Sequence, residues 1–185
     1  PRELYDEVEE IFVIDDCSKD NTYYAALGYK LENKVDKLTV HRNENNQGYG
    51  GNQKVGYRYA IDRGLDMVAL VHGDGQYAPE ALPFLLEPLI KGRADMVFGS
   101  RMSTWTAALK GGMPLYKYAG NRVLTFIQNR LSGLHLSEYH SGYRLYSTAA
   151  LKKIPFESFT NTWHFDTQII LAMTERNMRI VERPI

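Results

Sequence analysis

Four short apolar runs in this sequence each end in side chains that suit cations, phosphates or nucleotide groups. Ile11-Phe12-Val13-Ile14 leads into Asp15-Asp16, and Leu38-Thr39-Val40 into His41-Arg42-Asn43. Met67 to Val71 leads into His72-Gly73-Asp74-Gly75-Gln76, and Met96-Val97-Phe98 into Gly99-Ser100-Arg101. An adjacent acid pair repels itself unless a cation or a hydrogen-bond donor lies near, and base N–H groups and ribose hydroxyls are suitable donors. Capping of the next helix accounts for Ser18 or Asp20, but leaves Asp15 and Asp16 unexplained. Asp74 offers a carboxylate and Gln76 an amide oxygen, hard ligands for Mg2+ or Mn2+. A plain Gly-Asp-Gly turn explains the same spacing equally well.

Asn45-Asn46-Gln47-Gly48-Tyr49-Gly50-Gly51-Asn52-Gln53-Lys54 is a Gly-rich stretch running into a helix. A helix start with free backbone N–H groups favours anions, so Gly48 and Asn52 are candidates for a nucleotide contact. The stretch fits neither Gly-x-Gly-x-x-Gly nor the Walker pattern, and a flexible turn is the plain alternative.

These groups need elements that bring them together. Continuous runs of three to five residues, without alternation, suit strands buried on both faces of a parallel sheet. Between them lie helical stretches over 22–31, 52–63 and 79–91, the last two stopped by Gly64 and Gly92. The βαβαβαβ order predicts an α/β fold with helices covering a mainly parallel sheet. In such sheets ligands bind beyond the carboxyl ends of the strands, so all four polar groups should share one rim. Further on, 111–114 reads as a loop, 115–131 as a helix carrying Lys117, Arg122 and Arg130, and 139–146 as a short aromatic stretch. Helices over 148–153 and 166–176 and a strand over 179–182 follow.

The 185 residues suit one domain, 1–185, long enough to bury a core without disulfide or metal. One cysteine, Cys17, excludes an internal disulfide and a Cys-rich zinc site. There is no apolar run of about 18 residues and no signal peptide. The sequence begins at Pro1 and stops at Ile185 just after an apparent strand, so both ends read as cut. Twenty-two Lys and Arg balance 22 Asp and Glu, which argues against a globally basic nucleic-acid binder. The balance hides two halves: residues 1–50 hold six basic and eleven acidic side chains, and 101–155 eight basic and one acidic. A basic segment beside a phosphate site suits a phosphorylated partner or an anionic membrane face.

Val13-Ile14-Asp15-Asp16-Cys17-Ser18-Lys19-Asp20-Asn21-Thr22 resembles the DD-x-S-x-D-x-T signature of family 2 glycosyltransferases with the GT-A fold. The Gly-rich stretch, Asp74 with Gln76, Gly99-Ser100-Arg101 and Ser141-Gly142-Tyr143-Arg144 follow in that family's order. The nearest likeness is to polyprenyl-phosphate sugar synthases of the dolichol-phosphate mannosyltransferase type. The resemblance implies that Asp15 and Asp16, with Ser18, hold base and ribose, and that Asp74 and Gln76 hold a divalent metal, Mg2+ or Mn2+. It implies that Arg101 and Arg144 face the diphosphate and an acceptor phosphate, with Glu138 as the acid before Ser-Gly-Tyr-Arg. His72 stands where the family has the first acid of D-x-D, as a possible further metal ligand. The family's first strand is expected upstream of residue 1, with Pro1 to Glu10 as the tail of the helix after it.

The implied reaction is hexosyl transfer, with inversion, from a nucleotide-diphosphate sugar to a polyprenyl phosphate or a saccharide. Arg suits phosphate because its planar fork binds two oxygens at once. A lipid phosphate is already anionic and needs no strong base, whereas a sugar hydroxyl needs one, with Glu138 or Asp166 as candidates. His140 and His164 read as packing or capping residues. The expected setting is cytoplasmic, at the inner membrane face, with peripheral membrane contact. Two other readings compete: a nucleotide-sugar-binding protein without turnover, and a phosphoacceptor receiver module with Asp15-Asp16, Asp74 and Arg101 as its layout.

Overall fold

The computed structural model describes residues 2–103 and 114–185; the expected loop over 111–114 and Lys110 fall mostly or wholly outside them. Six strands form: β1 (Ile11–Asp15), β2 (Leu38–Arg42), β3 (Met67–Val71), β4 (Met96–Ser100), β5 (Tyr143–Ser147) and β6 (Ile180–Pro184). The helices are α1 (Thr22–Asn33), α2 (Gly48–Asp62), α3 (Leu82–Ile90), α4 (Leu115–Ser132), the one-turn α5 (Thr148–Leu151) and α6 (Phe165–Glu175). The N-terminal residues form a 3-10 turn, Arg2–Tyr5, in place of the expected helix tail.

The strands make two sheets. β1 and β2 pair in parallel, and β3-β5-β4-β6 make the second sheet. β6 runs parallel to β4, whereas β5 runs antiparallel to both its neighbours. Parallel neighbours therefore flank an antiparallel strand in the larger sheet. Its carboxyl rim collects the ends of β3 and β4 and the start of β5, since Val71 lies opposite Tyr143.

Side-chain parity divides the core into two layers. On β4, Met96 and Phe98 enter the cluster beneath α2 and α6, and Val97 enters the one beneath α3. On β5, Tyr143 and Leu145 face α3, and Tyr146 faces the other way. A strand alternates sides with period two, so Arg144 shares the α2–α6 layer with Tyr146. That layer holds Tyr57, Phe165, Ile169 and Met173, all buried.

The Gly-rich stretch is not a loop before a helix; it is the first turn of α2, which starts four residues earlier than expected. Gly50 permits this, because a Cβ there would stand 2.6 Å from the Thr160 carbonyl oxygen and 2.7 Å from Phe165 Cβ. Its N–H donates to the Asn161 carbonyl at 2.8 Å, locking α2 to the segment before α6. Gly28, inside α1, has open space around its missing Cβ. Gly50→Ala should therefore destabilise the fold by about 1–3 kcal/mol in a urea titration. Gly28→Ala should stabilise it by about 0.5–1 kcal/mol, because it adds helix propensity at no steric cost.

Candidate active site

The rim is built from carboxylates with two different fates. Asp16 is fully engaged inside the protein. Its Oδ1 accepts from Asn43 Nδ2 at 2.8 Å and from the Gln47 N–H at 2.7 Å, and its Oδ2 from the Gly48 N–H at 3.0 Å. The free N–H groups at the start of α2 thus hold the protein's own carboxylate, which suits the positive end of the helix dipole. Gly48 sits at φ +75° and spends its N–H on Asp16, and Asn52 Oδ1 accepts from Asn43 Nδ2 at 2.9 Å. The structure therefore places Gly48 and Asn52, read from the sequence as nucleotide contacts, in the scaffold that fixes Asp16.

Asp15 differs. It is 4% exposed, and its Oδ2 accepts from the Ser18 N–H at 3.2 Å and pairs with Arg42 Nε at 3.3 Å. Its Oδ1 is buried with no hydrogen-bond partner. A buried carboxylate oxygen without a donor is costly, and a ligand N–H or hydroxyl is the kind of group that relieves it. Ser18 closes this turn through its backbone, its carbonyl accepting from Arg42 at 2.8 Å. Cys17 between them holds φ +61°, a left-handed conformation uncommon for a non-glycine residue and frequent at functional sites.

At the end of β3, Asp74 and Gln76 are both exposed, and Asp74 Oδ1 accepts the Gln76 N–H at 3.0 Å. Gln76 Oε1 accepts from Arg101 at 3.3 Å. Arg101 lies over the Tyr77 ring, 4.5 Å from its centroid, and donates to Tyr77 Oη at 3.2 Å. Its Nε is buried and has no partner. The segment from Val71 to Glu80 borders an open cleft of about 620 Å3. Glu138, 2% exposed, lies behind the Gly-Ser-Arg turn, its Oε1 accepting from Ser100 Oγ and from the Arg101 N–H, each at 2.8 Å. Glu138 thus sets Arg101 in place from a buried position.

Two expectations are corrected by burial. Arg144 is 1% exposed: its Nε donates to the Ser141 carbonyl at 2.7 Å, one terminal nitrogen to the Tyr139 carbonyl at 2.6 Å, and the other to the Asp166 carbonyl at 3.3 Å. It also pairs with the Asp166 carboxylate at 3.3 Å. Burial opposes its charge, but Asp166 beside it more than offsets this and holds it above the ordinary arginine range. Arg144 is therefore a core cation and no phosphate clamp, because parity on β5 turns it toward α6. His72 is the second case. Its Nε2 lies 3.3 Å from Tyr49 Oη, and its Nδ1 packs so closely on Gly142 that a Cβ there would stand 2.4 Å away. Both ring nitrogens lie against protein groups here, while the residue itself borders the open cleft, so His72 does not stand with Asp74 and Gln76 as an exposed ligand. Burial pushes its imidazole below the ordinary range, partly countered by Asp166 and Asp74.

Tyr49 ties these parts together. Its hydroxyl donates to Asp166 Oδ2 at 2.7 Å, and Gln53 Nε2 reaches Asp166 Oδ1 at 3.3 Å. Burial, with Asp166 next, raises the Tyr49 hydroxyl well above its ordinary value, so it stays a donor. Trp163, 70% exposed, stacks on Tyr49 with ring centroids 4.1 Å apart. Tyr49, Tyr77 and Trp163 were not singled out from sequence; the aromatic inside a Gly-rich stretch was the available signal.

Among the described residues no group of three His, Cys, Asp or Glu converges on a metal position. The donor set still fits a hard cation, because Mg2+-type sites commonly use one or two carboxylates and complete their shell with substrate phosphates and water. Asp74 with the Gln76 amide oxygen is such a partial set.

Two sheets with polar groups at their strand ends, helices on their faces and Asp16 under the start of α2 make up an α/β domain of the GT-A fold. The glucosyl-3-phosphoglycerate synthase of Mycobacterium tuberculosis, solved with Mn2+, UDP and phosphoglyceric acid, has the same fold, with TM-score 0.67 and 17% identity. That comparison covers 99% of this chain and 60% of the synthase chain. The family model for glycosyl transferase family 2 matches residues 2–155, and the chain belongs to that family. Among its relatives is an undecaprenyl-phosphate mannosyltransferase of Micrococcus luteus, 30% identical over 95% of this chain and 70% of its own length. Another is a UDP-N-acetylglucosamine–dolichyl-phosphate N-acetylglucosaminyltransferase of Methanococcus voltae, 29% identical over 96% of this chain and 74% of its own.

Removing one member of a buried ion pair leaves the other charge stranded, at about 3–5 kcal/mol. Arg144→Met should thus lower the unfolding free energy by about that amount, read by denaturant titration without substrate. A phosphate-clamping Arg144 would leave stability unchanged.

Proposed function

We propose that this chain transfers a hexosyl group, with inversion, from a nucleotide-diphosphate sugar to a polyprenyl phosphate, assisted by a divalent cation. The observation that carries the donor reading is the partnerless, buried Oδ1 of Asp15; the start of α2 links this end of β1 to the end of β3, with Gly48 on Asp16 and Tyr49 on His72, where Asp74 and Gln76 are exposed and Arg101 meets Gln76. The nucleotide base and ribose supply the N–H and hydroxyl donors that Asp15 lacks. Asp74 and the Gln76 amide oxygen would hold Mg2+ or Mn2+, which would offset charge on the leaving diphosphate. Arg101 adds a fixed guanidinium to the same purpose, aimed by Tyr77 and by Glu138 behind it.

The acceptor reading rests on which carboxylates are spent. Glu138 and Asp166 are each 2% exposed, with both oxygens of Asp166 and Oε1 of Glu138 taken by internal hydrogen bonds. Neither is placed to take a proton from a sugar hydroxyl. An acceptor that arrives already anionic needs no such base, which favours a lipid phosphate over a saccharide. The names of the two relatives, both acting on polyprenyl-type phosphates, support the same choice. No described helix is long and apolar enough to cross a membrane, so contact with the lipid would be peripheral for the residues described.

Asp74→Ala should lower kcat by about 100-fold or more with Mn2+ present, in a radiolabelled nucleotide-sugar assay with a polyprenyl phosphate. Turnover near that of the unchanged protein would refute the metal role. Glu138→Gln keeps the shape and one acceptor oxygen, and should retain most of the rate. Collapse of the rate together with an acidic pH limb would identify a general base instead.

A further inference from the structure

Helix α4 is built inside out. Its inward residues are polar: Thr125 is buried, and Gln128, Asn129 and Ser132 are partly so. Asn129 exchanges two hydrogen bonds with the Leu136 backbone, at 2.8 and 3.0 Å, and accepts from Tyr139 Oη at 2.9 Å. Ser132 Oγ lies 2.7 Å from the same tyrosine hydroxyl. The outward residues are large and apolar: Leu115, Tyr116, Val123, Leu124, Phe126 and Leu131, with Phe126 71% and Leu131 83% exposed. At about 100° per residue these six fall within one half of the helix circumference, opposite Thr125. Ordinary surface helices have the reverse arrangement, and an apolar patch of this kind marks an interaction surface.

The charges on the helix say what covers it. Residues 115–132 include no Asp or Glu, and Arg122 and Arg130 are exposed. The turn count sets Arg130 among the outward apolar residues and Arg122 at their margin, where long side chains lay their stems on apolar surface and carry the charge to its edge. A helix too polar to span a bilayer, with one large apolar face and basic residues beside it, is the pattern that lies in the lipid–water interface. We infer that α4 docks on an anionic lipid surface through Phe126, Leu131 and their neighbours, with Arg122 and Arg130 on the headgroups. This goes beyond the proposed transfer reaction and does not depend on the acceptor.

The test is co-sedimentation of the chain with phosphatidylcholine vesicles, with and without phosphatidylglycerol, and with no polyprenyl phosphate. The chain should bind the anionic vesicles more tightly, and salt should weaken that binding. The double variant Phe126→Ser, Leu131→Ser should weaken it about tenfold or more, with an unchanged far-ultraviolet dichroism spectrum, because both side chains are exposed. Arg122→Gln with Arg130→Gln should remove the preference for phosphatidylglycerol and keep the fold. Absence of vesicle binding, or binding that either double variant leaves intact, would overturn the inference. A vesicle-free dimer abolished by the serine pair would assign the face to a second copy, and overturn it equally. Loss of transfer activity with vesicle binding retained would fault the acceptor reading alone.

Discussion

A guanidinium cannot leave water without a partner, and this fold takes one into its core. Arg144 reaches that position because strand parity turns it away from α3, into the layer where α6 begins. Asp166, on the first turn of α6, meets it there, and three backbone carbonyls take the remaining N–H groups. The Asp166 carboxylate has a second partner in Tyr49, whose hydroxyl donates to it and hands the constraint on to α2 and, through His72, to the end of β3. Gly142 is small because His72 lies against it. The smaller and larger sheets share no strand pair, so their relation at the rim runs through α2 and this network.

The site follows from a division of labour among acids. Asp16 and Asp166 spend both oxygens on the protein and Glu138 spends Oε1, shaping respectively the start of α2, the core cation and the Gly-Ser-Arg turn. Asp15 keeps one oxygen without a partner, and Asp74 lies exposed on its turn. Motif residues that stand adjacent in the chain thus differ: Asp15 keeps a buried oxygen without a partner, and Asp16 anchors the start of α2. The same division explains why several acids near a reaction centre yield no evident base.

Much of this was legible in the chain. The four apolar runs are strands β1 to β4 at nearly the expected bounds, because unbroken β-branched and aliphatic runs have few other uses. Asp74, Gln76 and Arg101 share a rim as their strand-end positions require. Other features depend on partners remote in sequence. Arg144 meets Asp166 across 22 residues, and the antiparallel course of β5 is set by the strands on either side. The Gly-rich stretch reads as a loop by composition, yet it is helical because Gly50 lets α2 approach Thr160 and Phe165. Helix α4 shows the limit most plainly: periodicity reveals two faces, but nothing local tells which one turns inward.

In the proposed reaction a nucleoside diphosphate binds with Asp15 on the base or ribose, Arg101 on the phosphates and Asp74 on the cation. A crystal structure of the chain grown with UDP and Mn2+, with anomalous scattering to locate the metal, tests it most directly. Manganese should be bonded to Asp74 and to diphosphate oxygens, with a nucleoside donor within hydrogen-bond distance of Asp15 Oδ1. Manganese held away from Asp74, or a nucleotide seated elsewhere with Asp15 Oδ1 still partnerless, would contradict it.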